Sequence, residues 1–253
     1  MKDTIYTIPL TEAFQEQGEC PLCFIYKKLE DDAIRFTLGS SYMQSDFREQ
    51  TNKQGFCSKH YKNLYDYGNR LGVSLILHTH YMELYKSLDY ILTNRPDTPK
   101  ISLINKIKKA PIPKTDINNQ ISNHIDSCFI CDRIEKDFIR YISTFFYLMQ
   151  KDKEFEQMFE NSLGFCVPHF NIALSEAPKY LKAGEEMHKF YMISKTKLLQ
   201  SLKRIESELD WFIDKHDYNN HDKPWKNSQD VIPRAIQKLS GIYPQADVLK
   251  EDI

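Results

Sequence analysis

The chain has 253 residues, of which 41% are hydrophobic and 27% are charged, proportions typical of a globular protein in water. The formal net charge of -1 provides no overall attraction to nucleic acid or to an anionic membrane, so neither partner is expected. Glycine is scarce, at 8 residues, whereas tyrosine and phenylalanine number 15 each, a balance that favours helices over a turn-rich sheet protein.

The sequence carries no recognisable targeting segment. Its first ten residues lack the apolar run of a secretory signal peptide. The longest apolar stretch, residues 71–77, ends at His78 and falls far short of the roughly 18 residues that cross a membrane. We therefore expect a cytoplasmic protein whose cysteines stay reduced and available to a metal ion.

In the first part of the chain, the spacing of apolar residues predicts a series of helices. Gly55 is placed to end one of them, and the next begins near Cys57, with Gly68 and Gly72 as the points where it can break. The predicted elements are a short helix within 1–19, helices over 24–38 and 45–52, and a long helix over 57–94.

Residues 95–120 contain four prolines and predict a linker. A short basic helix over 102–109 interrupts it, and we interpret it as a solvated connector, with contact to a polyanion as the alternative. Residues 121–216 then repeat the helical order of 1–94, with helix starts at Cys128 and at the Gly164 motif. The remainder, 217–253, forms an extension with a polar segment and a short helix over 230–241.

All six cysteines fall in two copies of one motif, which opens with C-x2-C and closes with N-x2-G-F-C-x2-H. Between the second and third cysteines lie 33 residues in one copy and 34 in the other. This regularity indicates duplication of one helical unit. The candidate metal ligands are Cys20, Cys23, Cys57 and His60 in the first copy, and Cys128, Cys131, Cys166 and His169 in the second.

Three thiolates and one imidazole complete a tetrahedral shell, so each copy predicts its own Cys₃His site and the chain two zinc ions. A shell filled by protein leaves no open position for catalysis, which favours structural zinc. An iron–sulfur cluster and redox cycling of the C-x2-C pairs are the alternatives. We expect an all-α fold of two tandem helical repeats, each organised around one site.

Other polar residues carry weaker hypotheses. His78 and His80 face different sides of a helix, and His188 lies on an apolar helix, so all three are interpreted as ordinary helix residues. We interpret the segment around His216 and His221 as a solvated loop, with a further ion site as the alternative. Packing is the preferred account of Trp225 and Arg234, with ligand binding as the alternative.

The paired motifs CPLC, GFCSKH, CFIC and GFCVPH, followed by DYNNHDKPW and IPRAIQKLSG, resemble an uncharacterised bacterial family, a domain of unknown function. The resemblance spans nearly the whole chain and implies a cytoplasmic bacterial protein with paired Cys/His motifs. It provides no activity, substrate or catalytic residue.

The functional hypothesis is a zinc-stabilised helical protein that serves as an interaction or scaffold module for an unidentified protein partner. We favour this non-enzymatic role over an enzymatic one. The alternative is a redox- or metal-responsive switch in which a thiolate site releases zinc on oxidation. Nucleic-acid binding is disfavoured by the charge.

Overall fold

The computed structural model describes residues 5–16, 18–94 and 116–244. These residues form helices joined by turns, with no β-strand among them, which confirms the predicted all-α class. Within these ranges, no helix has both the length and the apolar character needed to span a membrane. The helices are α1 (Thr7–Gln15), α2 (Pro21–Leu38), α3 (Ser45–Gln54), α4 (Ser58–Asp66), α5 (Arg70–Asn94), α6 (Asp116–Asp126), α7 (Phe129–Lys151), α8 (Lys153–Asn161), α9 (Val167–Glu176), α10 (Glu185–Lys215) and α11 (Val231–Ser240).

The two G-F-C motifs start helices in the same way. Cys57 is the N-cap of α4 and Cys166 that of α9, and both have φ of -71° and ψ of 164°. Glycine precedes each at positive φ, 60° at Gly55 and 72° at Gly164, where a Cβ is disfavoured. Pro168 lies in the first turn of α9, where its missing N–H leaves no bond unmade. The helix starts predicted at both motifs are confirmed.

The predicted long helix over 57–94 is interrupted at one of its two candidate break points. α4 ends at Asp66 and α5 begins at Arg70, so the chain breaks around Gly68 while Gly72 lies inside α5. A 3₁₀ turn, Ala177–Lys179, follows α9. The histidine-bearing helices α4 and α9 are consequently only 9 and 10 residues long.

The last residues of the predicted linker are helical. Residues 116–120 belong to α6, where Ile117, Ile121 and Ile125 recur every fourth position, a helical spacing that the preceding prolines obscured. The predicted basic helix over 102–109 and most of 242–253 lie outside the described residues. The short helix predicted over 230–241 is confirmed as α11.

The chain divides into two compact units whose boundaries differ from those of the sequence repeats. Unit 1 comprises Met1–Lys28 and Asp137–Ile253, and unit 2 comprises Leu29–Lys136. The boundaries fall inside α2 and α7, so the first turns of each of these helices belong to a different unit from the remainder.

Unit 1 is built around an aromatic cluster. The Phe145 ring on α7 lies 5.1 Å from Phe159 on α8 and 5.4 Å from Phe165, with Phe14 and Phe190 also in contact. Ring pairs in these edge-on and offset arrangements add specific stabilisation to the burial of apolar area. Because Phe165 is part of the cluster, the adjacent start of α9 is held against the core.

Unit 2 is organised by α3 packing along α5. The guanidinium of Arg48 on α3 donates hydrogen bonds to the carbonyl of Leu75 and the hydroxyl of Thr79, both on α5. The Phe129 ring at the start of α7 lies 6.4 Å from the Phe56 ring. These two rings neighbour Cys128 and Cys57 in the chain, so their contact brings the ends of two ligand-bearing segments together.

Candidate metal centres

In unit 1, four candidate ligands converge from two distant parts of the chain. Site A consists of Cys20 and Cys23 at the start of α2, with Cys166 and His169 at the start of α9. Their four ligand atoms lie within 4.8 Å of one another, and all four residues are buried. The His169 Nδ1 atom lies 3.5, 3.4 and 3.2 Å from the sulfurs of Cys20, Cys23 and Cys166.

Unit 2 contains a second cluster of the same composition. Site B consists of Cys57 and His60 at the start of α4, with Cys128 and Cys131 at the start of α7. The His60 Nδ1 atom lies 3.2, 3.2 and 3.4 Å from the sulfurs of Cys57, Cys128 and Cys131. The two cysteines of different segments, Cys57 and Cys131, have their sulfurs 3.8 Å apart.

The grouping of ligands corrects the sequence prediction. Each site combines the C-x2-C pair of one motif copy with the C-x2-H pair of the other. The predicted grouping joined Cys20, Cys23, Cys57 and His60 in one site and Cys128, Cys131, Cys166 and His169 in the other, and the structure does not assemble either set.

Helix length explains this exchange, in which each site takes its two ligand pairs from different motif copies. His60 Nε2 lies 3.1 Å from Glu30 Oε1, and Glu30 is ten residues, or about 15 Å, along α2 from Cys20. In the second copy, the His169 ring lies 5.2 Å from the ring of Phe138, which is also ten residues beyond its own cysteine, Cys128. Each C-x2-H pair therefore meets the middle of its own long helix, too far from that helix's cysteines to share a metal ion with them.

The separations fit a four-coordinate ion. Metal–ligand distances of about 2.3 Å to sulfur and 2.0–2.1 Å to nitrogen, in a tetrahedron, place sulfurs about 3.8 Å apart and sulfur and nitrogen about 3.6 Å apart. The sulfur pairs at 3.6 Å in site A and 3.8 Å in site B match this geometry, and the sulfur–nitrogen distances are slightly shorter. Both sites can therefore hold one metal ion each.

The alternatives fit less well. An iron–sulfur cluster places several iron atoms and sulfides between its cysteines, and ligand atoms this close leave no volume for them. A structural disulfide requires sulfurs about 2.05 Å apart, and the six cysteines are unbridged in the structure.

The thiols of site A compete for one negative charge. Burial raises the pKa of Cys20, but hydrogen bonds from Cys166, Cys23 and His169 outweigh burial and leave it well below its ordinary value. The hydrogen bond to Cys20 raises the pKa of Cys166 to about 12, and bonds to Cys166 and Cys20 raise that of Cys23 strongly. A cation at the centre of the cluster would favour ionisation of all three thiols.

Site B shows the same pattern with an additional carboxylate. Burial disfavours ionisation of Cys128, yet the hydrogen bond with His60 lowers its pKa to about 6, while burial and the nearby Cys128 charge raise that of Cys131. Burial raises the pKa of Glu30, but contacts with His60 and Lys59 outweigh it and lower that pKa to about 2. Burial lowers the pKa of His60, but contacts with Cys128 and Glu30 outweigh it and raise that pKa to about 9. Glu30 thereby fixes the imidazole with Nδ1 facing the sulfurs.

The sites differ in their surroundings and exposure. His169 in site A packs against the rings of Tyr26 and Phe138. In site B, a buried Glu30 takes the place that Phe138 has in site A, and it also pairs with Lys59 at 2.6 Å. All ligands of site A are buried, whereas Cys57 and Cys131 in site B are partly exposed. Site B is therefore the more accessible of the two.

Sequence analysis missed Glu30. In the sequence Glu30 stands beside Asp31 and Asp32, as on a solvated helix face, although its side chain is only 6% exposed. The signal was its spacing, seven residues after Cys23 and seven before Thr37, both of which are buried. An acidic residue in a buried helical stripe requires a partner, and the His60 imidazole provides it.

The remaining histidines behave as expected for ordinary helix and loop residues. His80 Nδ1 lies 2.8 Å from the Asn52 carbonyl, and His216 Nδ1 lies 2.8 Å from that of Phe212. Within the described part of the chain, sites A and B are the groups of three or more His, Cys, Asp or Glu residues that converge, and the segment at His216 and His221 forms no such group. Trp225 packs on Phe212, 5.6 Å between rings.

Paired substitutions test the ligand grouping. The double variant Cys20→Ser/Cys166→Ser removes two ligands from site A only, so one cobalt(II) ion per chain should remain tightly bound. Cys20→Ser/Cys57→Ser damages both sites and should retain none. Cobalt charge-transfer absorption and metal analysis give the stoichiometry; the reverse result, with one ion retained only by the second variant, would restore the grouping by sequence copy.

Glu30→Gln tests the carboxylate contact. Loss of the charge beside His60 should weaken metal binding at site B by about 10- to 100-fold, since such partners orient a ligand and raise its basicity. Site A should be unaffected. Competition with a chromophoric chelator measures both affinities, and Glu49→Gln, at an exposed carboxylate of the same unit, is the control. Equal affinities in the two variants would exclude this role of Glu30.

Comparison with known proteins gives one match. The model of a family of unknown function, DUF6062, matches residues 1–246. No curated protein and no solved structure matches the chain. The match confirms the family resemblance carried by the paired Cys/His motifs, and its extent leaves only the last seven residues outside. The chain therefore belongs to DUF6062, a family of unknown function.

Proposed function

We propose that this protein binds two zinc ions, one in site A and one in site B, as permanent parts of its fold, and that it is a non-enzymatic helical interaction or scaffold module. The observation that carries the proposal is the convergence of eight ligand atoms in two closed sets, each within 4.8 Å. The residues supply all four positions of a tetrahedral shell, which is typical of structural zinc.

Ligand chemistry favours zinc among divalent ions. Thiolate and imidazole are ligands that zinc prefers, whereas magnesium and calcium require oxygen. Three thiolates and a neutral imidazole leave a charge of -1 around zinc, and the N-termini of α2 and α9 at site A, and of α4 and α7 at site B, add partial positive charge.

The structural role follows from where the ligands lie in the chain. In site A the sulfurs of Cys23 and Cys166 come from positions 143 residues apart, and in site B those of Cys57 and Cys131 from positions 74 apart. A bond across so long a loop removes conformational freedom from the unfolded chain. Structural zinc binding in small peptides is worth about 10–16 kcal/mol, comparable with the whole stability of a typical domain.

An interaction role is supported by surface composition. On α5, Leu71, Tyr81 and Tyr85 are each about two-thirds exposed or more. Tyr81 and Tyr85, four residues apart, lie on the same face of the helix, and contiguous exposed apolar side chains are typical of protein-binding surfaces. We propose a protein partner in the cytoplasm of a bacterium, and no role for nucleic acid or membrane, consistent with the net charge of -1.

Metal analysis and chelation test the proposal. Purified protein should contain two zinc ions per chain, and a tight chelator should lower the thermal midpoint sharply, with recovery when zinc is restored. Zinc affinity should also fall as pH is lowered, because protons compete for the three thiolates and the imidazole of each site. Protein without metal, or a melting curve that the chelator does not alter, would refute it.

The partial exposure of Cys57 and Cys131 favours a second function, a redox switch at site B. Hydrogen peroxide would oxidise these two thiolates: its O–O bond breaks, an S–S bond forms, and two protons complete two water molecules. Zinc would then lose two ligands and leave site B.

Peroxide treatment separates the two functions. For the switch, site B should release its zinc first and regain it after reduction, while site A keeps its ion. Cysteine alkylation followed by peptide mass spectrometry identifies the site. Retention of both ions under peroxide would support the purely structural role, and earlier release from site A would contradict the switch.

A further inference from the structure

Lys238 on α11 is fully buried, with 0% of its surface exposed. An ammonium group inside a protein requires strong partners, because burial removes its hydration. Its Nζ donates to the backbone carbonyl of Glu19 at 2.5 Å and to that of Leu163 at 3.2 Å, and lies 3.4 Å from the Glu19 carboxylate.

Both carbonyls belong to the segments that carry the ligands of site A. Glu19 directly precedes Cys20, and Leu163 opens the Leu-Gly-Phe sequence that leads into Cys166. One side chain therefore bridges the two segments beside the metal ligands. Gly241, which ends α11 with φ of 77°, lies next to the site, since a Cβ there would be 3.7 Å from the Cys166 sulfur.

Site B joins its two ligand segments through direct bonds between the segments themselves. The Phe129 N–H donates to the Gly55 carbonyl at 3.0 Å, and the Ser127 hydroxyl donates to the Gln54 carbonyl at 2.6 Å. Both donors come from the segment around Cys128, and both acceptors come from the segment that leads into Cys57.

The corresponding positions of site A cannot make these bonds. Pro21 stands where site B has Phe129, and proline has no N–H. Glu19 stands where site B has Ser127, and an ionised carboxylate accepts but does not donate. Lys238 supplies, from a third segment, a donor to the Leu163 carbonyl, the counterpart of Gln54 in site B, and joins it to the Glu19 carbonyl.

A charge network keeps Lys238 in place. The Glu19 carboxylate accepts two hydrogen bonds from Arg204, at 2.6 and 2.7 Å, and Arg234 of α11 pairs with Glu208. These groups balance the buried ammonium, which makes its burial tolerable.

We propose that Lys238 is a positioning residue of site A. Its ammonium group, carried by α11, holds the two ligand segments at the separation that metal binding requires. The inference rests on the proposed zinc function. It predicts that loss of the ammonium weakens site A and leaves site B unchanged.

The test uses full-length Lys238→Met loaded with zinc, which keeps most of the side-chain volume and removes the donors. A chelator challenge with timed cysteine alkylation, read by peptide mass spectrometry, reports each site separately. Site A should bind zinc about 10- to 100-fold more weakly than in the native chain, with site B as the internal reference. Unchanged release from site A would overturn the proposal.

Two comparisons exclude a merely structural effect. Val231→Ala removes buried volume from α11 but leaves the Lys238 bonds. Relative to the thermal stability that each variant loses, Val231→Ala should weaken zinc binding at site A less than Lys238→Met does. Equal weakening would refute the role of Lys238.

If Lys238→Met does not fold, Glu19→Ser/Lys238→Met is compared with Glu19→Ala/Lys238→Met. These differ by one hydroxyl at the position of Ser127, and the serine form should bind zinc more tightly at site A; equal affinity would refute the bridging role.

The proposed zinc function and the proposed role of Lys238 can be refuted independently. A native chain that holds no zinc would refute the proposed function itself. A native chain with two zinc ions, and a Lys238→Met variant with the same site-specific affinities, would refute only the role of Lys238.

Discussion

The arrangement of this chain depends on the repulsion among three thiolates that share one small volume. In site A the pKa of Cys20 is lowered while those of Cys23 and Cys166 are raised, and in site B the pKa of Cys128 is lowered while that of Cys131 is raised. A divalent cation removes this conflict because it interacts with all three sulfurs at once. The positions of the surrounding helix starts, glycine turns and aromatic rings are those that bring the four ligand atoms to one point.

Helix length decides which ligands meet. α2 has 18 residues and rises about 27 Å, and the segment that follows brings His60 to Glu30, in the middle of α2, rather than to Cys20 before its start. Each long helix therefore contributes its first cysteines to one site. A residue ten positions later, Glu30 or Phe138, contacts the histidine of the other. A metal ion bound in either site would therefore link the two motif copies.

Most helices and helix starts can be predicted from the sequence, but which ligand pairs meet in one site cannot. Helical spacing predicts most elements, and the recurrence of G-F-C predicts the helix starts at Cys57 and Cys166. Motif spacing measures distance along the chain, not across the fold, so it could not reveal which C-x2-C pair meets which C-x2-H pair. Lys238 was equally hidden, since its contacts to Glu19 and Leu163 span 219 and 75 residues.

The two sites share a ligand set and differ in what surrounds it. Site A is buried, bordered by aromatic rings and bridged by α11, while site B has two partly exposed cysteines and a charged partner in Glu30. The most direct test of the account is a crystal structure with anomalous diffraction recorded at the zinc edge. We expect two anomalous peaks per chain, one among Cys20, Cys23, Cys166 and His169, and one among Cys57, His60, Cys128 and Cys131. Peaks elsewhere, or cysteine clusters without a metal peak in protein purified with zinc present, would contradict the account.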